Sequence, residues 1–537
     1  MIGIELHNFR RFKELPFLEF GKITFLVGSN SSGKSSVSKA IAFLVNNIIK
    51  MDVPSLFYVG YEFDFSNQLC ADLNIVDFNH TLYFSAEDRT ISLGVLLEDI
   101  YMKFDITQSV TNGNKQTGRL SRIQITNPKV NFVLYPGEEK CRIDFNDSMS
   151  AYPAETLPLI KHMVDWRRDD YNLHGYGEYD NPAYGYDFMN YESIMSGDLD
   201  YHPNGYTNGE FCEISKETET LRFTQEQSSM YNQHCIARDI QMMVERCKSA
   251  IWNGVFKSDK DAMKRVNCEM SLNFLANDLQ RSIGMMNIAY IPMSIIPQLT
   301  AYSTDSTNTS KFANLLKDSF AVWNDFRYEP AKKFIRKWMN EFKIGSDYKI
   351  DKLSEEVYRL TINQEPNHIT DATSLGKGPL QLMTLLLHIG KVIERKTYKS
   401  DEWMKLVSKI QTRYLMDVSN IPSSPLIVVE EPELCLHPCY QKMLADMMLE
   451  ATTDFDIHFI VETHSEYLIR HTQVLVAGMN LGVYEMDTKN PFKVYYFPGN
   501  RLPYDMEYCS DGHFKKTFED GFFDVSNKST IELIWRK

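Results

Sequence analysis

The stretch Gly28-Ser29-Asn30-Ser31-Ser32-Gly33-Lys34-Ser35 has the G-x-x-x-x-G-K-S spacing of a phosphate-binding loop. Its glycines permit a backbone curl whose amides point inward at phosphate oxygens, and a helix starting there adds its positive end. Asn30, Ser31, Ser32, Gly33, Lys34, Ser35 and Ser36 are therefore the candidate contacts to a nucleotide's phosphate chain. Lys34 would reach the β- and γ-phosphates, and the Ser35 hydroxyl would bind Mg²⁺.

Such a loop needs a carboxylate on a nearby strand to hold the metal. Leu426-Ile427-Val428-Val429 followed by Glu430-Glu431 supplies one, since four apolar residues bury a strand and leave two acids at its carboxyl end. Side chains alternate along a strand, so the two acids are expected on opposite faces with different tasks. Glu430 is assigned to the metal shell and Glu431 to orienting or deprotonating an attacking water. A third run, Ile457-His458-Phe459-Ile460-Val461, leads into Glu462-Thr463-His464-Ser465. A histidine just past a strand could contact the γ-phosphate or its water, which makes His464 the third catalytic candidate beside Glu431 and Lys34. Finally, Ser374-Leu375-Gly376-Lys377-Gly378-Pro379 precedes an apolar helical stretch and would form a second amide-rich anion site.

These groups must be positioned by buried strands and the helices after them. Ile23 to Val27 reads as a parallel-sheet strand, and Lys34 to about Ile49 reads as a helix. From about Thr81 to Phe145, short β-rich runs (TLYFSA, TISLGVLL, YMKFDIT, RIQIT, VNFVLY, CRIDF) alternate with turn residues and suggest an antiparallel lobe. Residues 171 to 206 hold eight tyrosines among Gly, Asp, Asn and Pro and read as a long loop. Helical segments are expected near 222–256, 260–285 and 309–343. The α/β pattern returns near 346, with strands at Tyr348–Asp351 and Val357–Ile362 and a helix at Leu380–Ile393. Three regions follow: 1–145 as the first part of a nucleotide-binding head with its β lobe, 146–345 as a mainly helical insertion, and 346–537 as the rest of the head.

Composition narrows the classes. Of 537 residues, 43% are hydrophobic and 24% charged, as in ordinary globular proteins, which excludes a disordered or collagen-like chain. No run of about 20 apolar residues offers a membrane span. The net charge of −14 argues against a wholly basic nucleic-acid binder but leaves room for a local basic groove. Nine scattered cysteines form no Cys-x-x-Cys pair, which suits a reducing compartment. A soluble, cytoplasmic protein is expected.

Taken together, GSNSSGKSS, SLGKGPLQ, LIVVEEPELCLHP and VETHS, in that order, resemble the ABC-type ATPase heads of the SMC, RecF and overcoming-lysogenization-defect group. The resemblance implies an α/β fold, a P-loop sheet plus an antiparallel β lobe, with a largely helical insertion. It implies ATP and Mg²⁺ as cofactors and a homodimer closing head to head around ATP. In that arrangement Ser374, Gly376, Lys377 and Gly378 form the signature that completes the partner's site in trans, Glu431 is the catalytic glutamate and His464 the switch histidine. Glu430 stands where that group usually has aspartate. Gln68 is the candidate for the glutamine that senses Mg²⁺.

The EEPE and LHP elements and Gly521-Phe522-Phe523-Asp524 further resemble the PtuA-type ATPases of Septu and retron anti-phage systems. There the ATPase is paired with an HNH-type nuclease and, in retrons, with a reverse transcriptase and its RNA–DNA product. No His-Asn-His pattern is present and the stretch after His464 is short for a Toprim nuclease, so any cleavage is expected from a partner chain. Two other readings stay open: a RecF-like repair or recombination ATPase that clamps DNA, and a weakly hydrolysing scaffold that uses ATP as structural glue.

Overall fold

The computed structural model describes residues 3–50, 62–63, 65, 70, 73–97, 100–110, 116–127, 130–135, 140–145, 211–215, 275, 288–292, 296–305, 310–323, 329–365, 368–410, 425–480, 490–519 and 523. Gln68, the tyrosine-rich stretch, nearly all of the helical segments expected at 222–256 and 260–285, and Gly521, Phe522 and Asp524 lie outside the described residues. The chain divides into two units, Met1–Glu19 with Lys39–Met286 and Phe20–Ser38 with Asn287–Lys537.

The first unit holds an antiparallel sheet of nine strands among the described residues. The hairpin Gly3–Phe9 and Phe12–Glu19 pairs with Thr90–Leu96, and Tyr101–Val110, Gln116–Thr126, Val130–Tyr135, Lys140–Phe145 and Phe211–Ser215 follow in order. Alternation accounts for its buried face: Met102, Phe104 and Ile106 are all fully buried while Lys103, Asp105 and Thr107 between and after them are half-exposed. Phe43 packs against Phe9, Phe63 and Phe65 beneath it. The run TLYFSA is not a strand. Asp77 caps the one-turn helix Phe78–Thr81 by accepting the His80 amide at 2.8 Å, and the chain leaves with Phe84 exposed.

The second unit is built on strand β1 (Ile23–Gly28), the start of helix α1 (Lys34–Lys50, whose residues from Lys39 belong to the first unit), β2 (Ile288–Ile291), α2 (Lys377–Ile410), β3 (Leu426–Glu430), α3 (Pro438–Phe455), β4 (His458–Thr463), α4 (Glu466–Asn480), β5 (Phe492–Phe497) and β6 (Tyr504–Asp505). The sheet order is β2-β3-β4-β1-β5-β6. All neighbours run parallel except β5 and β6. Every residue of β1 and β3 is buried, as expected of strands covered on both faces. Fully burying each such Val, Leu, Ile or Phe contributes roughly 1.5–3 kcal/mol. Proline at the first position of α3 and the left-handed Asp456 at its end fix that helix between β3 and β4.

Tyr348–Asp351 and Val357–Ile362 form strands as the sequence predicts, Asp347–Lys352 and Val357–Glu365, and these lie outside the parallel sheet. They pair antiparallel with each other in a separate four-stranded sheet. The connection between them is too short for the crossover that parallel neighbours require. Sequence patterning also missed β2 and β5: β2 is only four residues, and Lys493 interrupts the apolar run of β5. No described helix is long and apolar enough to cross a membrane.

Candidate functional site

The glycine loop, Glu430, Glu431 and His464 stand at the carboxyl ends of interior strands of the parallel sheet, within the second unit. β1 ends at Gly28, whose lack of a side chain is required: a Cβ there would lie 2.2 Å from the Phe497 carbonyl oxygen. The loop then turns through Ser31 at φ 59° and Gly33 at φ 110°, the latter a backbone shape that glycine adopts without strain. Ser29, Asn30 and Ser31 are exposed at its tip, while Ser32, Gly33, Lys34 and Ser36 are buried at its base. Lys34 Nζ donates to the Gly28 carbonyl at 3.0 Å and to the Ser29 carbonyl at 2.8 Å, so the amine lies inside the curl. Burial holds its pKa below the ordinary lysine range, while Glu462, Glu431 and Glu433 pull the other way.

Three strand-end carboxylates surround the loop. β4 lies between β1 and β3, and its Glu462 is in register with Glu430 on one side and Leu26 on the other. The Ser35 hydroxyl donates to Glu462 Oε1 at 2.6 Å. Glu430, one strand farther from the loop, is buried and accepts the Tyr290 hydroxyl of β2 at 2.6 Å. The sequence reading quoted Glu462 only as part of a motif and gave it no task. Parallel pairing of β3 with β4 reveals its place, and the signal available beforehand was an acid at the same strand-end position as Glu430.

Glu431 departs from the expected geometry. β3 ends at Glu430, and Glu431 takes a left-handed φ of 44°, with its amide donating to the Glu462 carbonyl at 2.8 Å. A backbone turn, rather than strand alternation, separates the two acids. Glu431 Oε1 lies 3.8 Å from His464 Nε2. Burial, with a smaller contribution from Lys34, holds the His464 pKa down at about 4, so this imidazole is neutral near pH 7. Burial raises the Glu431 pKa, Lys34 lowers it and Glu430 adds to the rise.

His464 is held by Glu433, which is buried and accepts the His464 amide at 2.7 Å. On the other side of the histidine, Ser465 caps α4 by accepting the Leu468 amide at 3.1 Å and donates its hydroxyl to Gln441 at 2.6 Å. Both flanks of His464 are thus anchored in the chain that bears it.

Of the expected signature, Ser374, Gly376 and Lys377 are exposed at the start of α2, with Leu375 buried between them. Gly378 is buried where a Cβ would come within 2.6 Å of the Cys435 carbonyl. The turn at Ser374–Gly378 and the segment after β3 are therefore in close contact. Phe523, the described residue of the carboxyl-terminal Gly-Phe-Phe-Asp, is buried against Phe518 with the Arg470 guanidinium over its ring.

Hydroxyl and carboxylate oxygens are hard donors that suit Mg²⁺, which is commonly held by one or two carboxylates together with substrate phosphates. Ser35, Glu430 and Glu462 fit that role, and Glu462 Oε2 is a buried oxygen with no hydrogen-bond partner. Among the described residues no group of three or more His, Cys, Asp and Glu side chains forms a metal cage by itself.

Burial raises the Glu462 pKa to about 7; Glu430 and Glu431 add to this, and the Ser35 hydrogen bond and Lys34 oppose it. Between the ordinary 4.5 and about 7 this carboxyl binds more protons in the folded chain than in the unfolded one. From this group alone the unliganded protein should lose on the order of 3 kcal/mol of stability as pH rises across that window. His464, its pKa held at about 4, acts in the opposite direction up to pH 6.5, so the readout is a difference. In differential scanning calorimetry without nucleotide or metal, the Tm of Glu462→Gln relative to the wild type should rise from pH 5 to pH 7.5.

Residues 1–469 match the family model described as AAA ATPase domain. No curated protein matches the chain. Among solved structures, it is similar to an Smc head domain with an extended coiled coil bound to the C-terminal domain of ScpA, from Pyrococcus furiosus. The two are 10% identical, with 100% of this chain and 99% of that one covered at a TM-score of 0.32. For the SMC head domain of Thermotoga maritima the values are 9%, 94%, 98% and 0.30. For the Smc head domain with coiled coil and joint of Pyrococcus yayanosii they are 9%, 99%, 99% and 0.33. Likenesses of this size add nothing to the topology described above.

Proposed function

The chain belongs to the AAA ATPase domain family, and on that premise we propose that it binds and hydrolyses Mg-ATP at the loop Gly28–Ser35. Its fold is α/β, an ABC-type ATPase head with a P-loop sheet and an antiparallel β lobe. The observation that carries the proposal is the convergence of a glycine loop, a buried lysine and strand-end carboxylates at the carboxyl ends of adjacent parallel strands.

In this reading the loop amides, Lys34 and the α1 N-terminus hold the phosphates, while Ser35 and Glu430 hold the metal. The bound metal would neutralise charge on the phosphate oxygens. Glu431 orients and accepts a proton from the attacking water, and neutral His464 offers a hydrogen bond toward the γ-phosphate. The exposed Ser374, Gly376 and Lys377, with Gly378 behind them, face the nucleotide of a second copy, so ATP joins two heads. Closure follows if ATP binds the paired state better than the open one. The EEPE and LHP motifs and the carboxyl-terminal Gly-Phe-Phe-Asp support a biological output in anti-phage defence of the Septu and retron type. There the head restrains an HNH-type nuclease, with a reverse transcriptase and its RNA–DNA product as further partners. A cytoplasmic location is part of this reading.

A second reading, a slow ATP-dependent scaffold, draws support from the engagement of Glu430 by Tyr290. Gel filtration with light scattering, run beside steady-state phosphate release, tests both. The first reading expects ATP-dependent dimers and turnover that falls as they dissociate. Dimers that persist with negligible phosphate release favour the scaffold. Monomers at every nucleotide concentration remove the head-to-head mechanism.

A further inference from the structure

We propose that Glu462 belongs to the shell of the divalent cation that accompanies the nucleotide, acting with the Ser35 hydroxyl from the strand nearest the loop. This deepens the reading of the chain as an Mg-ATP site and rests on it.

Sheet order comes first. β4 is hydrogen-bonded to the loop-bearing strand β1, whereas Glu430 sits on β3, one strand farther out. Neighbouring strands lie about 4.8 Å apart, so Glu462 has the shorter reach to the start of α1. The hydrogen bonds agree with this: Ser35 Oγ meets Glu462 Oε1 at 2.6 Å, while Glu430 accepts the Tyr290 hydroxyl.

Satisfaction comes second. Glu462 is 4% exposed, and its Oε2 is buried with no hydrogen-bond partner. A buried carboxylate oxygen left unpaired is costly, and a hard cation is the chemistry that offsets it. Charge balance comes third. Lys34 directs its amine to the Gly28 and Ser29 carbonyls, which leaves Glu430, Glu431 and Glu462 beside a loop built for an anionic phosphate chain. Acids and phosphates can share that space when a cation stands between them. In the unliganded protein the Ser35–Glu462 bond keeps two of these oxygen donors together.

The test uses the full chain and Mn²⁺ as the probe, with a non-hydrolysable ATP analogue. Electron paramagnetic resonance reads free Mn²⁺, and calorimetry reads analogue affinity with Mn²⁺ and in EDTA. Glu462→Gln should weaken Mn²⁺ binding in the analogue complex by roughly 10- to 100-fold. Its affinity for the analogue in EDTA should be unchanged or higher, since a negative charge beside the phosphates is gone. Glu462→Asp, which keeps the charge, should recover part of the Mn²⁺ affinity. A thermal scan of the unliganded variants checks that they are folded.

Mn²⁺ affinity of Glu462→Gln within twofold of the wild type would overturn the inference. So would an equal loss in EDTA, which would make Glu462 a group that merely positions the loop through Ser35. If the wild type binds the analogue with metal dependence and only these variant results disagree, this inference fails alone. A wild type that binds no nucleotide in either condition overturns the proposed function as well.

Discussion

Lys34→Ala should lower ATP affinity by at least 100-fold, to the point where a fluorescent nucleotide titration gives no saturable signal. Lys34 is 2% exposed, and its amine lies among the Gly28 and Ser29 carbonyls at the base of the loop. Hydrogen bonds to charged groups contribute about 1.5–3 kcal/mol each, and two of them to phosphate oxygens account for the expected loss. The variant also removes a cation that opposes the burial of Glu462 and Glu431. Phosphates would then meet these acids without the lysine's charge between them. The same titration decides the matter: affinity within fivefold of the wild type would mean that the loop does not hold the phosphate chain.

Glu431→Gln should reduce steady-state ATP turnover by at least 100-fold while leaving ATP affinity close to normal. General base catalysis contributes roughly 10²- to 10⁴-fold, and an amide cannot accept the proton. Glu431 is well placed for that task. It stands just past the end of β3 in a left-handed turn, 3.8 Å from a neutral His464 and held by its amide to the Glu462 carbonyl. Its pKa is raised by burial, which brings a carboxylate closer to the range where it accepts protons well. With chemistry blocked and binding intact, the ATP-bound dimer should accumulate in gel filtration. Normal phosphate release by this variant would show that the base lies elsewhere.

The positions of the loop and of the β3 acids were legible because their signals are local. Eight consecutive residues dictate the curl from Gly28 to Ser35, and four apolar residues before Glu430 announce a buried strand end. The helix after the loop was expected from Lys34 to about Ile49 and runs from Lys34 to Lys50. The antiparallel lobe was equally readable from its short alternating runs, apart from TLYFSA, where the capping carboxylate of Asp77 outweighs β propensity. Gln68 was chosen by position relative to the first helix and lies outside the described residues.

What the chain's order of residues determined by itself was the set of groups able to handle phosphate, because each is built from a contiguous segment. Which of those groups touch was a matter of sheet order. Strands far apart in sequence become neighbours only when the parallel sheet assembles, and β4 slips between β1 and β3. That insertion gives Ser35 to Glu462 instead of Glu430, and it hands Glu430 to Tyr290 from a strand too short to notice in advance. It also lets Glu433 turn inward to hold His464. Hydrogen bonds between separate strands carry no local periodicity, so these pairings could be decided only by tertiary structure.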